Sequence, residues 1–373
     1  MTDYPCFRFS AARVRSDRPG VSLPLRVLTE LTAAGIAYQP RISDGRVFLS
    51  SSAGRVDCRD EHTGESLWSF ELPGPYRPTA RHEGVTLVDQ GLVFVRYREE
   101  LFALDPASGA CVERRACPPV SLETGVVLDG VLVAELDDES GSTLVALEVA
   151  SGEVVWRRGR TGVTPFLSGD DGVVVRSPEA HALAGHDVGS GDEVWRVPVD
   201  ELGWHRDPVA GESPGRAIGI PSCVAGLAVS GVLESNVVAI DLRTGNVAWQ
   251  RRVPIPNPFN LTWFVGGTWH LLGPDTLIEF DPASMEFNAL HEVGTGLVSA
   301  GANWLLAGLA VTDEHVLAAD MRGVVVALRR DDGSVDWRAD VGGRVSLAYG
   351  PLLVGGRVYL LDLDGHLTVF GPA

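Results

Sequence analysis

The feature that most constrains the fold of this 373-residue sequence is a short pattern that returns at nearly constant intervals. One copy reads Leu-Val-Ala-Leu-Glu-Val-Ala-Ser-Gly-Glu-Val-Val-Trp over residues 144–156. Seven copies align on a turn glycine or on the residue that replaces it, namely Gly64, Gly109, Gly152, Gly191, Gly245, Met285 and Gly333. Regular self-similarity is typical of repeat proteins rather than of several unrelated domains. We therefore predict a single domain over residues 1–373.

Three further positions of the repeat align with the glycine. An acid stands four residues before it in six copies and Arg329 in the seventh, the acids being Asp60, Asp105, Glu148, Asp187, Asp241 and Asp281. Two residues before this position the sequence has Cys58, Ala103, Ala146, Gly185, Ala239, Glu279 and Ala327. Tryptophan stands four residues after the glycine in five copies: Trp68, Trp156, Trp195, Trp249 and Trp337. The seven copies therefore share one register.

The pattern around the glycine predicts a β-hairpin. Apolar residues alternate with polar ones on both sides of the turn, which is typical of half-buried strands. The acid can accept hydrogen bonds from turn amides, and glycine adopts the positive φ that such a turn requires. Two further short apolar strands precede each hairpin, and four strands at intervals of about 40 to 54 residues indicate a propeller blade. The tryptophans would then pack neighbouring blades together.

The two ends of the sequence decide the expected number of blades. Arg357–Leu361 and His366–Phe370 are two strands of an eighth unit that lacks its outer strand. Pro5–Val14 has alternating apolar residues, so we assign residues 1–15 as the outer strand that closes this blade and covers its edge. The sequence thus predicts an all-β, eight-bladed β-propeller with four-stranded blades, with seven blades as the alternative count. Leu25–Ala34 is the only stretch that reads as a short helix.

The aligned copies resemble the pyrroloquinoline-quinone-type repeat of eight-bladed β-propellers, over residues 36–373. That family includes quinoprotein dehydrogenases and non-enzymatic propellers, among them a lipoprotein of the outer-membrane assembly machinery. The resemblance implies the fold but not the function, because the shared residues hold blades together. The dehydrogenases use two adjacent cysteines, calcium ligands and a catalytic aspartate, whereas no two cysteines are adjacent here. We therefore expect no quinone cofactor.

Composition limits the partners and the compartment. A net charge of −18 disfavours nucleic acid and anionic membranes as partners. No apolar run approaches the roughly 18 residues of a membrane span, and residues 1–15 lack the apolar segment of a secretory signal. The five scattered cysteines indicate reduced thiols, and metal-binding motifs are absent from the sequence. We expect a cytoplasmic monomer with no metal and no cofactor.

Two stretches break the period of the repeat, Val199–Cys223 and Arg252–Trp263. We expect them to be longer loops on the face around the channel mouth. The catalytic candidates, for general acid–base chemistry, are His205, Arg206 and Asp207. The candidate binding residues are Trp204, Asn257, Asn260, Trp263, Tyr76, Arg77 and Arg344. A solvated loop with one packed tryptophan and turn-forming asparagines is the alternative interpretation.

The sequence favours a non-catalytic propeller that presents one face and its central channel to a protein, a peptide or an anionic small molecule. The alternative is a cytoplasmic enzyme of the lyase, cyclase or hydrolase type with its active site at the channel mouth. A deep pocket that holds His205 beside a carboxylate and an arginine would favour the enzyme. A shallow rim with exposed aromatic side chains would favour the scaffold.

Overall fold

A computed structural model describes the backbone of most of the repeat region. The described residues are 14–15, 20–33, 40–75, 86–89, 91–118, 120, 122, 125–138, 141–160, 167–179, 182–198, 221–224, 226–232, 236–252, 262–265, 268–272, 277–281, 286–290, 306–320, 322–342, 351–362 and 364–373. Strands are the regular elements in these ranges, and they contain no helix that is long and apolar enough to cross a membrane.

The described strands form eight sheets, here numbered 1 to 8 along the chain. Sheet 1 contains β3 (Arg41–Ser43), β4 (Arg46–Ser51), β5 (Arg55–Asp60) and β6 (Ser66–Glu71). Sheet 2 contains β7 (Thr86–Asp89), β8 (Leu92–Tyr97), β9 (Glu100–Leu104) and β10 (Cys111–Ala116). Sheet 3 contains β11 (Val126–Leu128), β12 (Val131–Asp138), β13 (Gly141–Glu148) and β14 (Val154–Arg160). Sheet 4 contains β15 (Ser168–Asp170), β16 (Val173–Glu179), β17 (Ala182–Asp187) and β18 (Glu193–Pro198).

The second half of the chain repeats this organisation. Sheet 5 contains β19 (Ser222–Val224), β20 (Leu227–Val232), β21 (Asn236–Asp241) and β22 (Val247–Arg252). Sheet 6 contains β23 (Thr262–Val265), β24 (Thr268–Leu272), β25 (Leu277–Asp281) and β26 (Glu286–Leu290), with β1 (Val14–Arg15) added beside β23. Sheet 7 contains β27 (Leu306–Val311), β28 (His315–Asp320), β29 (Val324–Arg329) and β30 (Val335–Asp340). Sheet 8 contains β31 (Leu352–Val354), β32 (Arg357–Leu361), β33 (His366–Pro372) and β2 (Leu25–Thr32).

The sheets are arranged as the blades of a β-propeller. Consecutive strands pair antiparallel within each sheet. The first strands of successive sheets contact each other, as β11 does with β15, β15 with β19 and β19 with β23. The first strands therefore lie inside and the fourth strands outside, which confirms the predicted all-β propeller class. The count of eight blades and the assignment of residues 1–373 to one domain stay predictions.

Burial depends on the position of a strand in its sheet. All six residues of β28 and five of the six residues of β4 are buried. The outer strands β6 and β30 alternate between exposed and half-buried residues. The middle strands are apolar on both faces because neighbouring sheets cover both faces, and this explains their continuous apolar runs.

The hairpin turns have the predicted chemistry. The Oδ1 atom of Asp241 accepts hydrogen bonds from the backbone nitrogens of Arg243 at 3.1 Å and Thr244 at 2.8 Å, and from the Thr244 hydroxyl at 2.8 Å. These bonds, first that of the Thr244 side chain, hold the pKa of Asp241 below its usual value. Gly245 follows with φ +71°. The Asp60 turn has the same bonds to its own turn residues.

An N-terminal strand closes the ring, but it is not the strand that the sequence indicates. Strand β33 pairs with β32 on one edge and with β2 on the other, where Leu25 faces Pro372 and Leu31 faces Leu367. The assignment of residues 1–15 to this position is therefore wrong, because both edges of β33 are already occupied. The short helix suggested for Leu25–Ala34 is also wrong, because pairing with β33 makes this segment extended.

The closing strand joins the last sheet to the first. A Cβ on Gly64, the turn glycine of sheet 1, would be 2.7 Å from the Thr29 hydroxyl of β2. The Tyr359 hydroxyl of sheet 8 donates to the Glu61 carboxylate of sheet 1 at 2.8 Å. Strand β1 pairs in parallel with β23, with Val14 opposite Phe264. The described residues upstream of sheet 1 thus contact both the outer edge of sheet 8 and the inner edge of sheet 6.

Candidate functional site

The tryptophan of one sheet packs on the hairpin turn of the next. Trp156 Nε1 in sheet 3 donates to the carbonyl oxygen of Val188 in sheet 4 at 2.7 Å. Its ring lies on Gly191, where a Cβ would be 2.5 Å from Trp156 Cδ2. Trp68 and Trp195 make the corresponding contacts with the turns of sheets 2 and 5. The turn glycine is therefore required twice, for its positive φ and for the space that the ring occupies.

Sheet 2 has no tryptophan at this position, and an arginine makes the contact instead. Arg115 Nη2 donates to the carbonyl oxygen of Val149 at 3.2 Å, and the same guanidinium donates to that of Ala150. A Cβ on Gly152 would be 2.9 Å from Arg115 Cδ. The side chain therefore covers the turn glycine of sheet 3, as tryptophan does elsewhere. At this junction too, the repeat residues serve packing.

The junction between sheets 6 and 7 departs from the repeat. In sheet 3 the small residue Ala146 lies opposite Trp156, whereas in sheet 6 Glu279 lies opposite Asn288. The turn of sheet 7 has Arg329 where the other turns have an acid. Two charged side chains and an amide thus replace an alanine, an acid and an indole ring. Asn288 does not supply the aromatic ring that Trp156 supplies in sheet 3.

A cavity of about 600 Å³ lies at this junction. Its lining residues come from both sheets: Glu279, Asn288, Asp313, Glu314, His315, Arg329, Arg330, Asp331 and Asp336. We call this cavity the polar cleft. Five of its nine lining residues are acids and two are arginines, so its excess charge is negative when the imidazole is neutral.

A buried ion network joins the two walls of the polar cleft. His270 Nε2 lies 3.2 Å from Glu279 Oε1, and Arg330 of sheet 7 donates to the same oxygen. Arg330 Nη1 also donates to the carbonyl oxygens of Thr312 at 3.2 Å and Asp313 at 2.9 Å. Burial alone would raise the pKa of Glu279, but the hydrogen bond from His270 and the charge of Arg330 outweigh burial and lower it. Glu279 is therefore ionised at neutral pH.

Two more hydrogen-bonded pairs lie in the wall formed by sheet 7. His315 is 6% exposed, and its Nε2 lies 2.8 Å from Asp336 Oδ2. Arg329 Nε donates to Asp331 Oδ1 at 2.9 Å and Arg329 Nη2 to Asp331 Oδ2 at 2.5 Å, which is a bidentate pair. This pair lowers the pKa of Asp331. Both arginines of the cleft are thus bonded to carboxylates of the cleft itself.

The arrangement of the polar cleft suits binding of a polar ligand. Its volume lies in the range of about 300–1,000 Å³ that is typical of ligand pockets. Within the described ranges, no three His, Cys, Asp or Glu side chains are grouped so that they could hold a metal ion. The walls are instead fixed by paired charges, and their orientation does not depend on a ligand.

Nearly all residues that the sequence predicts for a site lie outside the described residues: His205, Arg206, Asp207, Trp204, Asn257, Asn260, Tyr76, Arg77 and Arg344. Trp263 lies in β23, opposite His270 in β24. The roles of all these residues stay predictions. The breaks in the repeat period do not indicate the polar cleft, because its residues lie in ordinary repeat positions. The sequence feature that could have indicated it is the change of residue type at Glu279 and Arg329.

The quinone of dehydrogenases with this fold does not fit the residues of this chain. No two cysteines are adjacent in the sequence, so the adjacent pair that those enzymes use cannot form. Burial raises the pKa of Cys58 to about 12 and that of Cys117 to about 11. These thiols are protonated at neutral pH and serve as apolar side chains of the core.

A family model described as "Outer membrane protein assembly factor BamB" matches residues 25–118, 52–202, 119–265 and 284–372. The assembly factor BamB of Moranella endobia is 23% identical over 229 residues, which are 58% of this chain and 57% of that protein. The quinoprotein alcohol dehydrogenase PedH of Pseudomonas putida is 26% identical over 193 residues, which are 47% of this chain and 31% of that protein. The alignments thus span less than two thirds of both relatives.

Among solved structures, BamB from Moraxella catarrhalis has the same fold. It superposes with a TM-score of 0.65 over 93% of this chain and all of that chain, at 17% identity. The predicted cytoplasmic location is wrong, because relatives of the chain are outer membrane protein assembly factors. The prediction that no membrane is a partner also conflicts with the description of these relatives as outer membrane protein assembly factors. By the extent of the family match, the chain belongs to the family of β-propellers with pyrroloquinoline-quinone-type repeats that is described as outer membrane protein assembly factor BamB.

Proposed function

We propose that the chain is a non-catalytic propeller that binds another protein and takes part in outer membrane protein assembly at the cell envelope. The observation that carries this proposal is the match of one family model, described as an assembly factor, to four stretches between residues 25 and 372. A protein or peptide partner is also what the sequence favours for a propeller without a catalytic motif.

The geometry of the repeat supports a scaffold. Asp60 and Asp241 accept hydrogen bonds from their own turn amides. Gly109, Gly191 and Gly245 lie under tryptophan rings, and the Nε1 atoms of Trp68, Trp156 and Trp195 donate to backbone carbonyls. These groups are fully used in holding blades together, so the most regular residues of the chain do not supply a reactive centre. Function in such a fold depends on residues that depart from the repeat.

Capture from the cell envelope tests this proposal. The full chain, tagged in its source organism, should recover a protein of the outer membrane assembly apparatus from detergent-solubilised envelopes. Depletion of the chain should lower the amount of folded outer membrane proteins. A tagged propeller of unrelated function provides the control for nonspecific recovery. Unchanged outer membrane proteins on depletion, together with no recovery of an assembly protein, would contradict the proposal.

The enzyme alternative stays a prediction that depends on His205, Arg206 and Asp207. Nothing in the described part of the chain favours it over the scaffold. The variants His205→Ala and Asp207→Ala test it. If the purified chain has a chemical activity that both substitutions abolish without a change in melting temperature, the enzyme alternative replaces the scaffold proposal.

A further inference from the structure

We propose that the polar cleft between sheets 6 and 7 binds a guanidinium side chain that a partner protein presents. This inference rests on the proposed function, since it names the chemistry by which the scaffold recognises its partner. It assigns a role to a junction that differs by its charge and by its missing aromatic ring from the junctions that the tryptophans of sheets 1, 3 and 4 fill.

The cleft is open, whereas three junctions elsewhere in the ring are filled by tryptophan. In sheets 1, 3 and 4 a tryptophan lies on the next turn glycine. In sheet 6 the position opposite Glu279 belongs to Asn288, which is exposed. The space of about 600 Å³ that remains is large enough for an inserted side chain. A hydrophobic side chain would displace water from the charged walls without replacing its hydrogen bonds, so the walls favour a polar guest.

The charges of the walls select a cation. Five carboxylates face two guanidiniums among the lining residues. Both guanidiniums are already bonded to carboxylates, Arg330 to Glu279 and Arg329 to Asp331. An anionic guest would have to displace one of these pairs. A cationic guest meets an excess of negative charge, to which Glu314 and Asp336 contribute.

A buried imidazole atom also points to a hydrogen-bond donor as the guest. His315 Nε2 lies 2.8 Å from Asp336 Oδ2, so a neutral His315 carries its proton on Nε2. Its Nδ1 is then an acceptor, and this atom is buried with no hydrogen-bond partner in the described structure. Such an atom is costly to leave unbonded. A bound cation would satisfy it with an N–H group once the wall beside His315 moves enough to expose this atom.

Guanidinium fits these walls better than ammonium. Its planar fork offers five donors in fixed directions, and it can bind a carboxylate through two parallel hydrogen bonds. It is also less strongly hydrated than ammonium, which favours its transfer into a half-buried site. The network of His270, Glu279 and Arg330 holds the floor of the cleft in place before a ligand enters.

Titration of the purified full chain with blocked peptides tests the inference. An acetylated and amidated Ala-Arg-Ala peptide should bind, with affinity that falls as salt rises. The matching lysine peptide should bind more weakly, and the matching glutamine peptide should not bind. Glu314→Gln and Asp336→Asn should each lower the affinity by about threefold, the size of one solvent-exposed ion pair. Asn288→Trp should abolish binding, because it returns an indole ring to the junction.

The matched control is Glu153→Gln, which removes one carboxylate from an exposed hairpin turn of sheet 3. It should leave the affinity unchanged, and equal losses in Glu153→Gln and Glu314→Gln would overturn the site, because they would show attraction to the net charge alone. N-propylguanidine carries the same guanidinium and the same single charge without a peptide backbone. Equal affinity for N-propylguanidine and the arginine peptide would overturn the assignment to a protein side chain.

The same variants separate this inference from the proposed function. Glu314→Gln and Asp336→Asn should weaken the capture of the envelope partner, whereas Glu153→Gln should not. If both cleft variants capture the partner as the wild type does, the cleft proposal fails and the scaffold proposal stands. Melting temperatures of all variants should match the wild type, which shows that a loss of binding is not a loss of folding.

Discussion

The contact between a turn glycine and the tryptophan of the preceding sheet leads to a quantitative prediction. Gly245 has φ +71°, and a Cβ there would be 2.4 Å from Trp195 Cβ and 2.6 Å from Trp195 Cγ. Alanine at this position should therefore suffer two penalties. The left-handed backbone costs about 1–2 kcal/mol for a residue with a Cβ, and overpacking against the ring costs about 1–3 kcal/mol more.

The same sheet provides a matched control. Gly226 has φ +75°, and nothing lies within 4 Å of the position of its Cβ. Gly226→Ala should therefore lower the free energy of unfolding by about 1–2 kcal/mol, from the backbone term alone. Gly245→Ala should lower it by about 2–5 kcal/mol, the sum of the two terms. The difference between the variants isolates the contact with Trp195.

Urea denaturation measures both variants. Far-ultraviolet circular dichroism is the suitable signal, because fluorescence would respond to the altered surroundings of Trp195 itself. The variants should have equal slopes of free energy against urea and different midpoints. Losses that agree within about 0.5 kcal/mol, the usual spread of neutral substitutions, would refute the reasoning that the glycine is required for packing as well as for its backbone conformation.

Three other predictions follow from the structure. Because the pKa of Asp241 is lowered in the fold, its carboxylate stabilises the protein above the unfolded pKa of about 3.9, and this stabilisation is lost as the pH falls through the lower folded pKa. In a plot of unfolding free energy against pH, Asp241→Asn should therefore flatten the acid limb, and an unaltered limb would contradict this. Glu279→Ala should lower the free energy of unfolding by about 3–5 kcal/mol in urea, because it leaves the mostly buried guanidinium of Arg330 without its carboxylate; an unchanged midpoint would count against the buried network. Removal of all residues through the end of β2 should lower the melting temperature strongly, whereas removal of residues 1–19 should lower it little; equal effects would contradict closure by β2.

The sequence predicts the hairpins and the blades because the forces that form them act over few residues. The bonds from Asp241 to Thr244 and the positive φ of Gly245 lie within five consecutive positions. Their residue types therefore recur wherever the turn recurs. The middle strands are equally visible, since burial on both faces requires continuous apolar residues.

The closing strand and the polar cleft depend on contacts between distant residues. Leu25 and Pro372 are neighbours only in the folded ring, so the alternating pattern of Pro5–Val14 was an equally good guide to the missing strand from sequence alone. Glu279 and Arg330 lie 51 positions apart, and their pairing requires knowledge of which turn faces which strand. The repeat shows that Glu279 is unusual, but only the structure shows its partner.

In sheet 8 the third strand β33 and the outer strand β2 come from opposite ends of the sequence, so no hairpin turn joins them as it does in the other sheets. The backbone nitrogen of Ala373 donates to the carbonyl oxygen of Pro24 at 3.0 Å, beside the pairing of Leu25 with Pro372. A short peptide between residues 373 and 20 would thus complete a hairpin like the others. The chain could then be opened at the turn around Gly172, where nothing lies within 4 Å of a Cβ, to give a circular permutant that lacks β1 of sheet 6 and keeps the other strands of every sheet. The closed ring determines which blades are neighbours, but it does not determine at which blade the sequence has to begin.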